Sequence, residues 1–489
     1  MYRSKQRRRS GLHQGFLTCA VREIDKIFPY SSLLAYMRKG ANMTDIAARC
    51  IREQPRFKGI FQNKGTFERR VRLASPTMHS DEKTFINQAF DEGFTGRNTA
   101  RLEKEAAEYI GVKHAVALHS GAAAMHMAVK LAAERLYGSA AAVPISGGLG
   151  TVGALQGKRV FCSDFASSTM ADSIISEGGE PVFVDASDED WSMDPEVLEI
   201  AFQRYPDVKL VMMNHAYGFP GQIMKIREIC RDHGALLIED ASESLGAKVH
   251  GKQTGSFGDY GILSFGSDKI ITGSVGGMLL TDDDYSSKKA RSRASHSRAA
   301  APWRQHEEPG DDCLMSDIVA GLILGQFRHL DEHIAKKRMI YERYLEKLDG
   351  DIMYMNPVGE GTEPNYWMSC MTCESNILFQ ETRSEREYTY TNQHGTASPM
   401  EIYDALEAFN VESCPVYKPM SLQPVFRNYD QITLDGSKRE YPEFDQDGFW
   451  VRCDVAKDNF DRGLCLPSDI KMTGEEQDRV VEIVRSCFD

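Results

Sequence analysis

The 489-residue chain contains no run of about 18 apolar residues, so no membrane-spanning helix is expected. It has no surplus of positive charge: 58 Lys and Arg against 71 Asp and Glu leave a net charge of −13. That balance argues against a nucleic-acid partner. It has no tandem repeat. The early stretch "FLTCAV" is too short for the apolar core of a secretory leader. Eleven cysteines, an odd number scattered from Cys19 to Cys487, do not make a disulfide framework and suit a reducing, cytoplasmic setting. Cys370 and Cys373 form a lone CxxC with no second pair and no nearby histidine, inside a stretch that reads as a strand, so no metal site is expected.

What the chain does have is alternation. Short apolar runs occur at "HAVAL" (114–118), "RVFCS" (159–163), "PVFVD" (181–185), "KLVMMNH" (209–215), "ALLIEDA" (235–241), "YGILSF" (260–265) and "GGMLLTD" (276–282). Helical patterns fall between several of them, at 121–136, 168–177, 194–204 and 223–233. Two more precede the first strand, in "SDEKTFINQAFDEGF" and in "TARLEKEAAEYIG", the latter closed by Gly111. Nearly continuous apolar strands with helical crossovers predict a mostly parallel sheet covered on both faces. The last two strands have no helix between them, which makes the sheet mixed.

The organisation expected is a basic, partly disordered extension over 1–70, a large domain over 71–315, and a linker helix with a small α/β domain over 316–489. The linker is one long helical pattern from 316 that allows a bend. Helices are expected near 398–410 and 474–486, and a loop over 376–398. Nine Lys and Arg crowd the first 42 residues. That segment reads as a disordered extension, as residues upstream of a true start at Met43, or as a basic binding arm. Gly148, Gly150 and Gly153 have GxGxxG spacing, but a strand follows instead of a helix, so 137–157 reads as a surface insertion and not as a dinucleotide fingerprint.

Three features line up along successive strands. In "HSGAAAMHMA" a strand turns at Ser120 and Gly121 into a helix, whose free N–H groups and dipole suit a phosphate; the alternative is a plain strand–helix turn. Asp240 ends a buried strand, where it is either a helix N-cap or the partner of a buried cation such as a pyridinium. In "SFGSDKIITGSVGG", Ser264 precedes Lys269 by five residues. A lysine held in a pocket forms Schiff bases when its pKa is lowered. Pyridoxal 5'-phosphate (PLP) needs these three things: a lysine, a carboxylate and a phosphate cradle.

With these stretches and with "PVFVDASDEDWSMDPEVLEIAF", "IEDASESLGA", "MSDIVAGLILGQF", "CPVYKPMSLQPVF" and "DRGLCLPSDIKMT", the chain resembles the DegT/DnrJ/StrS-type nucleotide-sugar aminotransferases over roughly residues 71 to 489. These are PLP-dependent transferases of fold type I. The tryptophan of "DEDWSMDP" and the "KPMSLQPVF" and "GLCLPS" segments resemble the branch that acts on UDP-4-keto-6-deoxy amino sugars, the bacillosamine type. The resemblance implies a three-layer α/β/α domain with a mixed, mostly parallel seven-stranded sheet, a smaller C-terminal α/β domain, and a homodimer with sites at its interface. It implies that Lys269 is the Schiff-base lysine and proton shuttle and that Asp240 keeps the pyridine nitrogen protonated. Ser264, Gly121 and Ala122 would hold the phosphate, with Glu243 near cofactor and sugar. It places His306 on a segment reaching the neighbouring subunit's site and Lys418 in a loop lining the sugar-nucleotide site; a solvated loop lysine is the alternative for Lys418.

Departures from that pattern lie around the chemical residues. Ala122 stands for a common threonine, Ser167 for a stacking aromatic, Tyr417 for a tryptophan and Ser421 for a histidine. Asp312 and Leu314 replace neutral polar and basic or amide residues in "GDDCLMS". Two functions follow. One is an aminotransferase moving the amino group of an amino acid, L-glutamate by expectation, to a nucleotide-linked keto-deoxy sugar for a surface glycan. The other is a PLP-fold protein that has lost turnover and serves in binding or regulation. A nucleic-acid-binding regulator using the basic N-terminus fits poorly with the acidic remainder.

Overall fold

All seven apolar runs become strands of one sheet: β1 (His114–Leu118), β2 (Arg159–Ser163), β3 (Glu180–Val184), β4 (Leu210–Asn214), β5 (Leu236–Asp240), β6 (Tyr260–Ser264) and β7 (Gly277–Thr281). A two-residue strand from far along the chain, β8 (Gln431–Ile432), adds an eighth. The order is β1-β7-β6-β5-β4-β2-β3-β8. β7 is antiparallel to both its neighbours and the other pairs are parallel. The computed structural model describes residues 43–139, 142–145, 148–151, 153–350, 353–374, 381–383, 390–392, 398–435 and 454–488.

The layers follow from the period of two along each strand. In β2, Val160 and Cys162 face one way, into the cluster that holds Ala124, Met125 and Ala128 of the helix Gly121–Tyr137. Phe161, between them, faces the other way, into the cluster of helices Pro195–Arg204 and Ile223–Asp232. Its ring meets Phe202 edge-on at 4.9 Å. Burying a ring of this size stabilises the fold by about 2–3 kcal/mol. This is the three-layer arrangement the strand pattern implies.

A second, antiparallel sheet orders Met353–Met355, Cys370–Cys373, Gly463–Cys465 and Cys414–Pro415. Beside it lie helices Leu330–Leu348, Pro399–Ala408 and Gly474–Arg485. The long helical pattern from 316 is two helices, Asp317–Phe327 and Leu330–Leu348, broken at Arg328 and His329. Within the stretch expected to be loop, Glu381–Arg383 and Tyr390–Asn392 pair as short strands. The first 42 residues, with their basic cluster, lie outside the described residues. Residues 43–64 form two helices, and Phe57 packs edge-on against Phe409. The GxGxxG glycines fall on and after a hairpin, Ala142–Ile145 with Gly148–Thr151, and no helix follows them.

The two sheets meet at a seam made by residues 365–368. Asn365 N–H donates to the Gly218 carbonyl (3.1 Å), and its side-chain amide donates to the carbonyls of Glu243 (2.8 Å) and Leu245 (3.0 Å). Met368 N–H donates to the Tyr217 carbonyl (3.2 Å). Gly218 has φ +88°, and a Cβ there would lie 1.9 Å from Asn365 Oδ1. A Gly218→Ala protein is therefore expected to lose about 2–4 kcal/mol from combined backbone strain and displacement of Asn365, read as a lower urea midpoint with unchanged slope.

Candidate active site

The carboxyl ends of β4, β5 and β6 place the reactive groups side by side. Asn214, Asp240 and Ile262 are paired residues across these parallel strands. Asp240 is 8% exposed. The chain after β5 forms a turn and not a helix, so the N-cap alternative is set aside; Asp240 Oδ1 instead accepts the Ser242 N–H (3.0 Å). Burial raises the Asp240 pKa above the ordinary aspartate value, opposed by the Ser242 donors and the charge of Lys269.

Lys269 lies on the turn between β6 and β7, its side chain only 14% exposed. It is not an ordinary surface lysine. Its Nζ is 3.6 Å from Glu243 Oε1 and 3.7 Å from Asp268 Oδ2, and it sits over the Trp367 ring, 4.1 Å from the centroid. Glu243 is held on both oxygens: Oε2 accepts the Tyr217 N–H (2.8 Å) and Oε1 accepts the Tyr417 hydroxyl in a short hydrogen bond. Burial raises the Glu243 pKa, with Lys269, the Tyr417 hydroxyl and the Tyr217 N–H pulling it back. The Tyr217 and Tyr417 rings stack at 4.9 Å, and Phe165 meets both edge-on.

The cradle is built by close approach. Ser120 caps the helix Gly121–Tyr137, taking the N–H groups of Ala123 with its hydroxyl (3.1 Å) and Ala124 with its carbonyl (3.1 Å). The earlier N–H groups, of Gly121 and Ala122, are ones a helix cannot satisfy internally. Ser264 closes in on them: a Cβ at Gly121 would sit 2.7 Å from Ser264 Cβ and 2.9 Å from its Oγ. A hydroxyl and a helix N-terminus are thus brought close together, as an anion site requires.

The remaining expected residues are placed less centrally. His306 is exposed and donates Nδ1–H to the His296 carbonyl (2.7 Å); no hydrogen bond or ion pair among the described residues joins it to the Lys269 group. Lys418 is half-buried, next in sequence to Tyr417. Ser167 is half-buried too. Ser421 anchors its loop, donating its N–H and hydroxyl to the buried Asp164 (2.7 Å each). Asp312 is 81% exposed, 3.7 Å from His296, and Leu314 is 45% exposed beside Leu118 at the end of β1.

Sequence reasoning assigned no role to four contributors. Trp367 and Tyr417 contact residues far away in the chain, and Tyr217 sits in "NHAYG" with a left-handed φ of +58° that no local signal announces. The fourth is Glu239, 0% exposed, next to Asp240. It accepts from Gly255 N–H (2.6 Å), Phe257 N–H (2.7 Å), Gly258 N–H (3.1 Å) and His215 Nε2 (3.0 Å). His215 Nδ1 accepts the Gly221 N–H (3.1 Å), which fixes the proton on Nε2. Burial works to raise the Glu239 pKa, but these donors outweigh it and hold it below the ordinary glutamate value.

A cavity of about 940 Å³ opens at the other, amino-terminal end of β5, lined by Arg135, Arg227, Arg231, Lys252 and Asp259 among others. Lys269, Asp240, Glu243, Ser264 and Gly121 do not line it. Asp164, Asp185 and Asp454 also lie together, but backbone and side-chain donors take their oxygens: Ser421 and Gln431 at Asp164, Ala186, Val455 and Ala456 at Asp185, Lys457 and Gln431 at Asp454.

The residues fit PLP. A buried carboxylate whose ionised form burial disfavours has room for the cationic partner a protonated ring nitrogen would be, a sheltered lysine suits an aldehyde, and the Gly121–Ser264 approach suits a phosphate. This is the fold of a PLP-dependent aminotransferase. Residues 76–485 match the DegT/DnrJ/EryC1/StrS aminotransferase family, and the chain belongs to it. It is 33% identical over 430 residues to EpsN of Bacillus subtilis, whose name describes a pyridoxal phosphate-dependent aminotransferase, covering 86% of this chain and 96% of EpsN. It is 28% identical over 421 residues to the GDP-perosamine synthase of Vibrio cholerae, covering 86% and 99%. Among solved structures, Helicobacter pylori PseC, an aminotransferase of pseudoaminic acid biosynthesis, shares the fold with a TM-score of 0.69 at 15% identity, covering 86% and 99%.

Two outcomes test the electrostatics. Tyr417→Phe removes a donor from the nearly buried Glu243 carboxylate and is expected to cost about 1–3 kcal/mol in urea unfolding. Lys337, 5% exposed, has a pKa lowered by burial to about 8 from 10.5, with Asp469 and Asp268 opposing. Between these values the unfolded chain holds this proton and the folded one has lost it, so stability rises with pH. Relative to Lys337→Met, the wild type is expected to gain about 3 kcal/mol between pH 8 and pH 10.5.

Proposed function

We propose that the chain transfers an amino group from an amino acid, L-glutamate, to a keto-deoxy sugar carried on a nucleotide, supplying an amino sugar to a surface glycan. The observation that carries this reading is the placement of Lys269, 14% exposed, beside Glu243 and in the electrostatic reach of Asp240. PLP, when bound, supplies an electron sink that stabilises negative charge at the carbon losing or gaining a proton. Asp240 holds the ring-nitrogen proton that makes this sink effective. Ser264 Oγ and the N–H groups of Gly121 and Ala122 bind the phosphate and fix the ring's position. Lys269 Nζ, once free, lies where it can take a proton from one carbon and return it to another. Glu243, 3.6 Å away, compensates its charge. The aromatic layer of Phe165, Tyr217, Tyr417 and Trp367 keeps water from this side of the site.

The finer assignments rest on motif resemblance. The "DEDWSMDP", "KPMSLQPVF" and "GLCLPS" segments support a UDP-4-keto-6-deoxy amino sugar of the bacillosamine type as acceptor. His306 would serve the partner's site in a homodimer, and Lys418 the nucleotide. The domain division at 70 and 315 and a cytoplasmic location belong to the same reading; among the described residues no helix is long and apolar enough to cross a membrane. The alternative, a PLP-fold binding protein without turnover, is separated by one experiment. The visible band of the protein with PLP is expected to disappear when L-glutamate is added, and to be absent in Lys269→Ala. Turnover by Lys269→Arg with UDP-, GDP- and dTDP-linked keto sugars is expected to fall by about a thousandfold or more. Unchanged turnover would overturn the mechanism, and a band that glutamate leaves intact would favour the binding protein or another donor.

A further inference from the structure

Lys337 takes no part in the chemistry assigned above, yet it is a lysine buried on the helix Leu330–Leu348. Its Nζ donates to the Trp367 carbonyl (2.7 Å). Trp367 then reaches the other way. Its indole N–H donates to the Asp268 carbonyl (2.8 Å), and its ring face lies against Lys269 Nζ at 4.1 Å from the centroid. The contacts form a strut from the helix to the reactive amine.

Each contact removes a different freedom. Lys337 fixes the Trp367 backbone. The indole bond fixes the ring plane against the peptide just before Lys269. The ring face attracts the ammonium and blocks its movement to that side. The residue before it, Tyr366, has φ +55°, a conformation rare for a bulky side chain, so the rotation of Trp367 toward the site is enforced by the surrounding seam. On other sides the carboxylates of Glu243 and Asp268, at 3.6 and 3.7 Å, complete the enclosure.

We infer that Trp367, held at its carbonyl by Lys337, is a positioning residue for Lys269: the strut sets the direction from which Nζ meets its electrophile and shields it from bulk reagents. The inference rests on the aminotransferase reading for its catalytic consequence, but not for its geometry, and the test separates the two. Trace acetylation of the cofactor-free protein with acetic anhydride, quantified by mass spectrometry, gives the labelling of Lys269 relative to the exposed Lys104, whose side chain is 74% accessible. Trp367→Leu is expected to raise that ratio by about threefold or more, and Trp367→Phe, which keeps a ring face, by less than about twofold. Lys337→Met should move the ratio in the same direction as Trp367→Leu, and Lys337→Arg should restore it toward the wild type.

In the holoenzyme, Trp367→Leu should lower kcat by about ten- to a hundredfold while KM for the amino donor changes by less than about threefold. Circular dichroism and the melting temperature establish that each variant is folded. If Trp367→Leu does not fold, Lys337→Met carries the same comparison, since it releases the carbonyl and keeps the ring. A folded Trp367→Leu or Lys337→Met protein with the wild-type labelling ratio overturns the inference, and so does a loss of kcat/KM in Trp367→Leu lying wholly in KM. If Lys269→Ala retains turnover while the labelling ratios move as stated, the strut stands and the catalytic reading falls.

Discussion

Glu239 is a charge in a place that water does not reach, and much of the site depends on how it is satisfied. A carboxylate buried without partners would take up a proton or unfold its surroundings. Here three backbone N–H groups and one imidazole surround it. Those donors come from the 255–258 turn before β6 and from His215 after β4, so the carboxylate ties three strand ends into one unit. Its neighbour Asp240 points to the opposite face of the same strand, by the period of two. The rigidity obtained for one acid is thereby lent to the other.

Most of the frame was legible in the sequence because strands buried on both faces write themselves as apolar runs. The seven central strands, the helices between them, and the Asp240, Ser264 and Lys269 positions could all be placed from local pattern. What stayed hidden depends on contacts between distant residues. Nothing near Glu243 announces that its partner is Tyr417, 174 positions later. Nothing near Lys269 points to Trp367. β8 is two residues long, too short for any period to show. The break at Arg328 and His329 lacks glycine or proline, so the 316–348 pattern reads as continuous. Asp240 is a reverse case: its spacing allowed a helix cap, and only the turn that follows removes that option.

The departures from the family pattern acquire local reasons. Tyr417 brings a hydroxyl where tryptophan would bring only an indole N–H, and that hydroxyl is bonded to the carboxylate nearest the lysine. Ser421 fastens the 417–422 loop to Asp164, while Gln431 of β8 bonds the same carboxylate (2.9 Å). The two replacements lie on one loop and act on two buried acids, so this periphery is cross-linked by hydrogen bonds and not simply eroded. Ala122 leaves the backbone donors of the phosphate turn in place.

The seam at residues 365–368 has a mechanical meaning. Five hydrogen bonds cross it to Tyr217, Gly218, Glu243, Leu245 and Asp268. At about 0.5–1.5 kcal/mol each, parting them together would cost about 3–7 kcal/mol, which leaves the parted state at about one part in a hundred or less. The line where the two sheets touch is therefore a weld and not a hinge.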